Sequence, residues 1–205
     1  MAKIEYKNTS VQFVDNVYEP AEDTFLLTES AFNYIKDGMN ILEIGTGTGF
    51  VSAVLKNNFE VNIVSTEINP DAAQCARSND VEVIRTNMFD GLKPIQCFDL
   101  ILFNPPYLPT TDDEKVPGWI NYAYDGGIDG CDAIRNFLDN VCNYLKPNGS
   151  IMLLVSSFSG IDYIKKMMES YGFEVYSTSR ERYFFEELAV LYGIHKIKNL
   201  CKPVH

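Results

Sequence analysis

The fold of this chain is decided by the stretch Ile41-Leu42-Glu43-Ile44-Gly45-Thr46-Gly47-Thr48-Gly49. Its apolar first half predicts a buried strand over 40–45, and its glycines predict a tight turn that leads into a helix over 49–57. A dinucleotide fingerprint requires a glycine where Phe50 stands, so the spacing here is Glu-x-Gly-x-Gly-x-Gly instead. The acid at Glu43 would repel a pyrophosphate and suits a ligand that carries positive charge.

A second acidic residue, Glu67, ends the next predicted strand, about twenty residues beyond the turn. A carboxylate in that place accepts hydrogen bonds from both hydroxyls of a ribose. S-adenosylmethionine has a ribose, a cationic amino group and a sulfonium, and it has no phosphate. The glycines, Glu43 and Glu67 together therefore predict S-adenosylmethionine as the cofactor.

The rest of the chain alternates strand-like apolar runs with helical patterns, which is typical of a parallel sheet with helices on both faces. Further strands are predicted at 61–67, 81–85, 99–103 and 150–155, and further helices at 131–145, at 161–171 and from Pro70 onward behind an Asn69 cap. Two strand-like runs, 174–180 and 187–194, end the pattern without a helix between them. We therefore predict a class I S-adenosylmethionine methyltransferase fold: a Rossmann-like α/β fold with a mostly parallel seven-stranded sheet and an antiparallel last strand.

The bulk properties predict one methyltransferase domain over residues 1–205, with an extension and a helix at 1–38 that pack over the cofactor site. The net charge of −11, with 28 acidic against 17 basic residues, argues against direct nucleic-acid binding. No apolar run is long enough to span a bilayer and no signal core is present, so we expect a cytoplasmic location and no membrane contact. The scattered cysteines, His195 and His205 do not suggest a metal site.

The most specific motif is Asn104-Pro105-Pro106-Tyr107, which follows a predicted strand at the edge where open α/β sheets bind ligands. An amide or aromatic amine nitrogen is a poor nucleophile because its lone pair is delocalised. The Asn104 side-chain oxygen and the Pro105 carbonyl would accept from its N–H groups and aim the lone pair at the methyl group. The prolines hold that carbonyl rigid, and Tyr107 offers a flat face to a planar group. The motif thus predicts amino-methylation by positioning and electrostatics.

The tetrapeptide alone does not choose between acceptors that share this chemistry. A glutamine amide and the N6 amino group of adenine in RNA or DNA are both planar nitrogens. A cofactor-binding scaffold that has lost catalysis is a third alternative. The acidic charge and the missing nucleic-acid module disfavour adenine, and the intact Asn104 and Glu67 disfavour the scaffold.

A resemblance narrows the choice. The segment Val17-Tyr18-Glu19-Pro20-Ala21-Glu22-Asp23-Thr24-Phe25-Leu26-Leu27, with the glycine loop and Asn-Pro-Pro-Tyr, resembles the HemK family of protein-glutamine N5-methyltransferases. Within that family the chain is most similar to the short archaeal and eukaryotic branch, and the resemblance runs from about Val17 to Leu191. It implies N5-methylation of the glutamine in a Gly-Gly-Gln motif of a class I translation release factor. It also implies a small zinc-binding activator subunit that covers an apolar edge. Bacterial members carry a helical substrate domain before the methyltransferase fold, and we expect none here because only about forty residues precede the glycine loop.

The segment that carries the resemblance is predicted to begin a helix at Pro20, with Glu22 and Asp23 in its positive first turn. Phe25, Phe32 and Ile35 are expected on the buried face of this helix. The resemblance implies that the helix start closes over the cofactor. Thr24 would then contact the methionine end, while Glu22 and Asp23 would lie near the substrate entrance.

Three further features concern the edges of the site. The segment 108–130 is too long for a simple connection and is expected to be functional. Within it, Trp119 belongs either to the core or to a lid over the substrate, and the acidic run 112–114 is interpreted as a solvated loop that could attract a basic substrate. The family often has an aspartate where Asn87 stands, and the Asn87 oxygen can still accept from the adenine amino group.

These arguments predict three overlapping sets of site residues. The catalytic set is Asn104, Pro105 and Tyr107. The cofactor-binding set is Thr24, Glu43, Gly45, Thr46, Gly47, Gly49, Glu67, Ile68, Asn87, Met88 and Asn104. The substrate-binding set is Glu22, Asp23, Asn104, Pro105, Pro106 and Tyr107.

Overall fold

The structure, a computed structural model, describes residues 2–115 and 117–196, so His205 and Cys201 lie outside the described residues. The strands are β1 (Ala2–Tyr6), β2 (Thr9–Phe13), β3 (Asn40–Ile44), β4 (Asn62–Glu67), β5 (Val83–Arg85), β6 (Phe98–Phe103), β7 (Leu145–Ser156), β8 (Phe173–Arg182) and β9 (Glu187–His195). The helices are α1 (Glu22–Phe32), α2 (Phe50–Asn58), α3 (Pro70–Ser78), α4 (Asp132–Val141) and α5 (Ile161–Ser170), with short 3₁₀ helices at Asp112–Glu114 and Trp119–Ala123.

Seven of these strands form one sheet in the order β5-β4-β3-β6-β7-β9-β8. The first five are parallel to one another, and β9 runs antiparallel to both of its neighbours. The predicted Rossmann-like fold with an antiparallel last strand is therefore confirmed. The predicted start of α3 is also found, since the Asn69 side chain accepts from the Asp71 N–H and Pro70 occupies the first turn.

The core explains why the central strands read as continuous apolar runs. Residues 100–103 of β6 and 151–155 of β7 are buried on both faces of the sheet. One apolar cluster covers one face with α4 and α5, represented by Phe137 and Ile164. A second cluster covers the other face with α1 and α2, represented by Leu27 and Val54.

The hairpin formed by β1 and β2 was not predicted from the sequence. Its strands pair antiparallel through a turn at Lys7 and Asn8, both of which have positive φ. Thr9 and Val11 are buried, and the Gln12 N–H donates to the Asn79 side chain at the end of α3. The hairpin thus packs onto the rest of the domain through a few buried residues. Because its other residues are polar, its sequence does not show a clear strand pattern.

The predicted boundary between α4 and β7 was wrong. The helix over 131–145 ends at Val141, and β7 begins at Leu145, so residues 146–149 lie within the strand and do not separate it from the helix. A register shift against β6 at this point accommodates the positive φ of Asn148, as a β-bulge does.

The first helix also differs from its prediction. It begins at Glu22, because Pro20 and the extended Ala21 precede it. Phe25 and Phe32 are only half-buried, and Ile35 is buried as predicted but lies beyond the helix end. The sheet-facing side instead carries small and aliphatic residues such as Leu27 and Ala31, while the Phe25 ring packs on Tyr6 of the hairpin.

Within the described residues, no helix combines the length and apolar character needed to cross a membrane. The same part of the chain has no group of three or more His, Cys, Asp or Glu residues that could hold a metal ion.

Candidate active site

A cavity of about 410 Å³ opens at the carboxyl ends of β3, β4 and β6, where open α/β sheets bind ligands. It brings together most of the residues predicted from sequence. Those that line it are Asp23, Thr24, Glu43, Gly45, Thr46, Gly47, Glu67, Ile68, Asn87, Met88, Asn104, Pro105, Pro106 and Tyr107. Two predicted residues lie outside this lining: Gly49, and Glu22, which lines an adjoining cavity of about 230 Å³.

The glycines of the loop after β3 serve two different purposes. Gly45, Gly47 and Gly49 all have positive φ, a conformation that other residues adopt only with strain. A Cβ on Gly47 would meet no atom within 4 Å, so its open side is free for a ligand. A Cβ on Gly49 would lie 2.9 Å from Val81 and 3.0 Å from Ala76, so the close approach of the loop to these two residues requires a glycine here.

Glu43 is a buried carboxylate that ties the loop to the first turn of α2. Its Oε2 accepts from Thr46 Oγ1 at 2.6 Å, from the Ser52 backbone N–H at 3.2 Å and from the Ser52 hydroxyl. Burial nevertheless raises the pKa of Glu43 to about 7, because the desolvation cost of the charge outweighs these donors. A cationic ligand in the cavity would favour its ionised form.

Glu67 forms the neighbouring part of the same wall. Its Oε2 accepts from the Gly47 N–H at 2.8 Å, and its Oε1 accepts from the Asn69 N–H at 2.8 Å. Burial raises the pKa of this carboxyl, while the backbone donors lower it. The carboxylate is therefore held against the glycine loop before any ligand binds.

Asn104 stands at the end of β6 on the opposite wall. Its Nδ2 donates to Asp23 Oδ2 at 2.9 Å, whereas its Oδ1 is buried without a hydrogen-bond partner. A carboxylate can only accept, so this contact assigns the amide nitrogen to Asp23 and leaves the oxygen for another group. An unpartnered buried acceptor costs about 1–3 kcal/mol, so Asn104 Oδ1 marks a bond that a ligand would complete.

Asp23 is itself held by four donors. Its Oδ2 accepts from the Tyr18 hydroxyl at 2.9 Å as well as from Asn104, and its Oδ1 accepts from the Thr24 N–H at 2.6 Å and the Thr24 hydroxyl at 3.1 Å. Burial and the nearby carboxylate raise the pKa of Tyr18, which keeps its hydroxyl a donor. The start of α1 thus orients Asn104, a link that sequence reasoning missed although it had assigned both residues.

The far end of the tetrapeptide is anchored by groups that no sequence motif indicated. The Ser159 hydroxyl donates to the Tyr107 carbonyl at 2.8 Å. Gly130 packs so close that a Cβ there would lie 2.4 Å from the same carbonyl oxygen. The Leu108 N–H donates to the Tyr124 carbonyl, and the Gly126 N–H donates to the Leu108 carbonyl. The long segment 108–130 is thereby pinned to the site at both ends.

This segment forms a cover over the cavity. Trp119 is 39% exposed, lies 5.8 Å from the Arg85 guanidinium and lines the cavity together with Tyr122 and Tyr124. Of the two predicted environments for Trp119, the lid is the one found. The Tyr124 ring meets Tyr18 edge to face, which closes the lid against the start of α1.

Comparison with known proteins identifies the family. A family described as a methyltransferase domain matches residues 35–187. A putative protein N5-glutamine methyltransferase of Methanocaldococcus jannaschii is 36% identical over 194 residues, which cover 92% of this chain and 96% of that protein. The methyltransferase HEMK2 of Homo sapiens is 34% identical, with 86% of this chain and 88% of that protein covered.

A solved structure agrees with the sequence relatives. The chain matches a structure of the E. cuniculi Mtq2-Trm112 complex, which is described as responsible for methylation of the eRF1 translation termination factor. The TM-score is 0.72 at 26% identity, with 88% of this chain and 99% of that one covered. Fold, motif and relatives lead to one conclusion, which confirms the resemblance read from the sequence: the chain belongs to the HemK family of protein N5-glutamine methyltransferases.

Proposed function

We propose that this chain methylates N5 of the glutamine in a Gly-Gly-Gln motif of a class I release factor, with S-adenosylmethionine as the methyl donor. The observation that carries the proposal is the buried Asn104 Oδ1, an acceptor without a partner on the wall of the cavity. A primary amide supplies the N–H donor that this oxygen lacks. The eRF1 methyltransferase of Schizosaccharomyces pombe, 29% identical over 90% of this chain, supports the choice of substrate.

The residues of the cofactor wall fit S-adenosylmethionine. Gly47 leaves its side of the loop open, Glu67 holds a carboxylate at the end of β4, and Glu43 adds negative potential beneath the loop. Asn87 and Met88 also line the cavity, and the Asn87 oxygen could accept from the adenine amino group. When bound, the cofactor supplies an electrophilic methyl group on a positively charged sulfur.

The residues of the acceptor wall position the glutamine. Asn104 Oδ1 accepts one N–H of the amide, and the Pro105 carbonyl, held by two prolines, accepts the other. Tyr107 provides a flat face for the planar amide, and the lid with Trp119 and Tyr122 excludes water. The methylated nitrogen loses its proton after transfer, so this mechanism needs positioning and no strong base.

We further propose that the chain binds a small zinc-binding activator and acts in the cytoplasm. The E. cuniculi relative forms a complex with Trm112, which supports such a partner. The two edges of the sheet differ. β8 carries three charged residues in a row, Arg180, Glu181 and Arg182, which disfavour edge pairing, whereas the three residues of β5 expose Ile84 at 43% and one charge, Arg85. We assign the activator to the β5 edge, which lies on the side of the lid where Arg85 meets Trp119.

A methylation assay tests the proposal. The chain, an activator of the Trm112 type, S-adenosylmethionine and a release factor are incubated together, and the release factor is digested and analysed by mass spectrometry. We expect one methyl group on the glutamine of the Gly-Gly-Gln motif and none on a release factor in which alanine replaces that glutamine. An unmodified glutamine, with cofactor binding demonstrated by calorimetry, would reject the proposal. Methyl incorporation into RNA or DNA instead would favour the adenine alternative.

A further inference from the structure

The connection between β8 and β9, residues 183–186, is here named the hairpin tip, and it stands beside the active site. Because β9 alone is antiparallel, its first residue lies at the edge where the parallel strands end. Leu188 pairs with Ser156 at the end of β7, and the Ser157 N–H donates to the Glu187 carbonyl at 2.8 Å. The hairpin tip therefore projects from the same edge of the sheet as Asn104.

The backbone of the hairpin tip is ordered by its own contacts. The Tyr183 N–H donates to the Glu186 carbonyl at 2.7 Å, and the Glu186 carboxylate accepts from the Ser156 hydroxyl at 2.6 Å. Between these fixed ends, Phe184 and Phe185 are 93% and 82% exposed, with ring centroids 4.6 Å apart. Two adjacent phenylalanines held in solvent by a closed turn are typical of an interaction site.

The hairpin tip is continuous with the route to the catalytic asparagine. Tyr183 and Glu186 line the 230 Å³ cavity together with Tyr18, Asp23 and Tyr107, and Glu186 lines the main cavity as well. A side chain that enters from this direction passes Asp23 to reach Asn104. The protein to which that side chain belongs must then lie against Phe184 and Phe185.

The charges around the hairpin tip restrict what can cover it. Glu22 and Glu186 line the smaller cavity and Glu181 lies beside the turn, in a chain of net charge −11. The adjacent basic residue, Arg182, is paired with Glu187 at 3.1 Å, so the charge left over near the tip is acidic. A second copy would bring the same acidic groups face to face, and an anionic lipid surface would be repelled. A protein with basic side chains around an apolar pocket is complementary to this surface.

We propose that the hairpin tip docks the protein that carries the acceptor glutamine, with Phe184 and Phe185 entering an apolar pocket of that protein and basic side chains lying near Glu22 and Glu186. This inference rests on the proposed function and adds to it. The active-site cavities would recognise the glutamine and its immediate neighbours, whereas the hairpin tip would recognise the folded domain that presents them.

Steady-state kinetics with two substrates test the docking role. The variant F184S/F185S is compared with the wild-type chain, each with its activator, on an intact release factor and on a short peptide that contains the glutamine. We expect KM for the intact protein to rise by about 10-fold or more, since aromatic anchors dominate protein interfaces, with kcat unchanged. Kinetics on the peptide should not change. The matched control is Y163S/Y176S, which removes two aromatic rings that are 53% and 46% exposed and line neither cavity.

If the wild-type chain is active, any of three outcomes would overturn the inference. An unchanged KM for the intact protein shows that the rings do not dock it. An equal loss on peptide and protein assigns the hairpin tip to the shape of the catalytic site. Self-association that F184S/F185S abolishes, without a change in KM, assigns the rings to a second copy. A wild-type chain that leaves both substrates unmodified rejects the proposed function itself, and this inference with it.

Discussion

The two walls of the active-site cavity differ in how many of their buried polar atoms already have hydrogen-bond partners within the protein. On the cofactor wall, Glu43 and Glu67 accept hydrogen bonds from hydroxyls and backbone N–H groups of the protein itself. On the acceptor wall, Asp23 is fully engaged, but Asn104 Oδ1 is buried without a partner. The wall proposed to hold the cofactor is thus assembled in advance, and the wall proposed to meet the substrate lacks one hydrogen bond.

This difference shows where binding energy can assist catalysis. A bond that is already made in the free protein contributes little when a ligand arrives. A bond that only the reacting amide completes can hold the nitrogen in its reactive geometry, which is the kind of interaction that raises kcat. Asp23 matters because it determines which end of the Asn104 amide remains free.

The largest effect is expected from removal of the unpartnered acceptor. Asn104→Ala should lower kcat by about 10²–10³-fold, as loss of one oriented polar group at a reacting centre does. The dissociation constant for S-adenosylmethionine, measured by calorimetry, should stay nearly constant because the cofactor wall is intact. Asn136→Ala, on the exposed side of α4, is the matched control. Comparable activity in the two variants would show that the unpartnered Asn104 oxygen has no special role in catalysis.

On the cofactor wall, Glu43 should make the stability of the protein depend on pH. Burial raises the pKa of Glu43 from 4.5 to about 7, so between these values the folded protein keeps a proton that the unfolded chain has lost. The contribution of Glu43 to the free energy of unfolding therefore falls as pH rises through this range, by about 3 kcal/mol in total. Urea denaturation of the cofactor-free chain should show this fall relative to Glu43→Gln. The exposed Glu60→Gln should behave like wild type, and parallel pH curves for all three would contradict the assignment.

The sequence predicted the fold well because each central strand is an uninterrupted apolar run and each turn has its own chemistry. Glycines mark the loop after β3, and Asn69-Pro70 marks the start of α3. The sequence-based prediction failed where tertiary contacts outweighed local preferences. The proline and glycine at 147 and 149 were interpreted as a helix stop. In the structure they lie within β7, at the register shift between its pairs with Phe98 and Leu100 of β6. The β1–β2 hairpin depends on contacts with distant helices, which no local pattern contains.

For the site, the sequence predicted residues that belong to contiguous motifs. It did not predict contacts between residues that are distant in sequence and meet only in the folded chain. Asn104 and Asp23 were both singled out, yet their contact joins residues that are 81 positions apart. Ser159 and Glu186 belong to no motif, yet Ser159 bonds to the tetrapeptide and Glu186 lines its cavity. Gly49 belongs to the motif, and only the structure shows that its side faces α3 and not the cavity.

The orientation of Asn104 can be tested without removing its side chain. In Asp23→Asn, residue 23 can donate as well as accept, so the Asn104 amide is no longer held in one orientation. Loss of this charged acceptor, worth about 1.5–3 kcal/mol, should lower kcat by about 10- to 100-fold while KM for the cofactor changes little. Tyr18→Phe, which removes one donor to Asp23, should have a smaller effect in the same direction. The control is Asp162→Asn, whose side chain lies on the solvent side of α5. A kcat for Asp23→Asn equal to that of the control would show that Asp23 does not orient the amide.

The smallest effect is expected at the anchor of the tetrapeptide. Ser159→Ala removes the 2.8 Å hydrogen bond to the Tyr107 carbonyl, which should lower the free energy of unfolding by about 1 kcal/mol. Ser170→Ala removes a hydroxyl-to-carbonyl bond of similar length at the end of α5, far from the cavity. Because only the first bond steadies the acceptor wall, Ser159→Ala should also lower kcat, by at most about 5-fold, whereas Ser170→Ala should not. If both variants lose stability equally and neither loses activity, the contact of Gly130 with the Tyr107 carbonyl and the β-bridge between Leu108 and Asp125 are enough to position the tetrapeptide. The free acceptor at Asn104 Oδ1 would then depend on Asn104 and Asp23 alone.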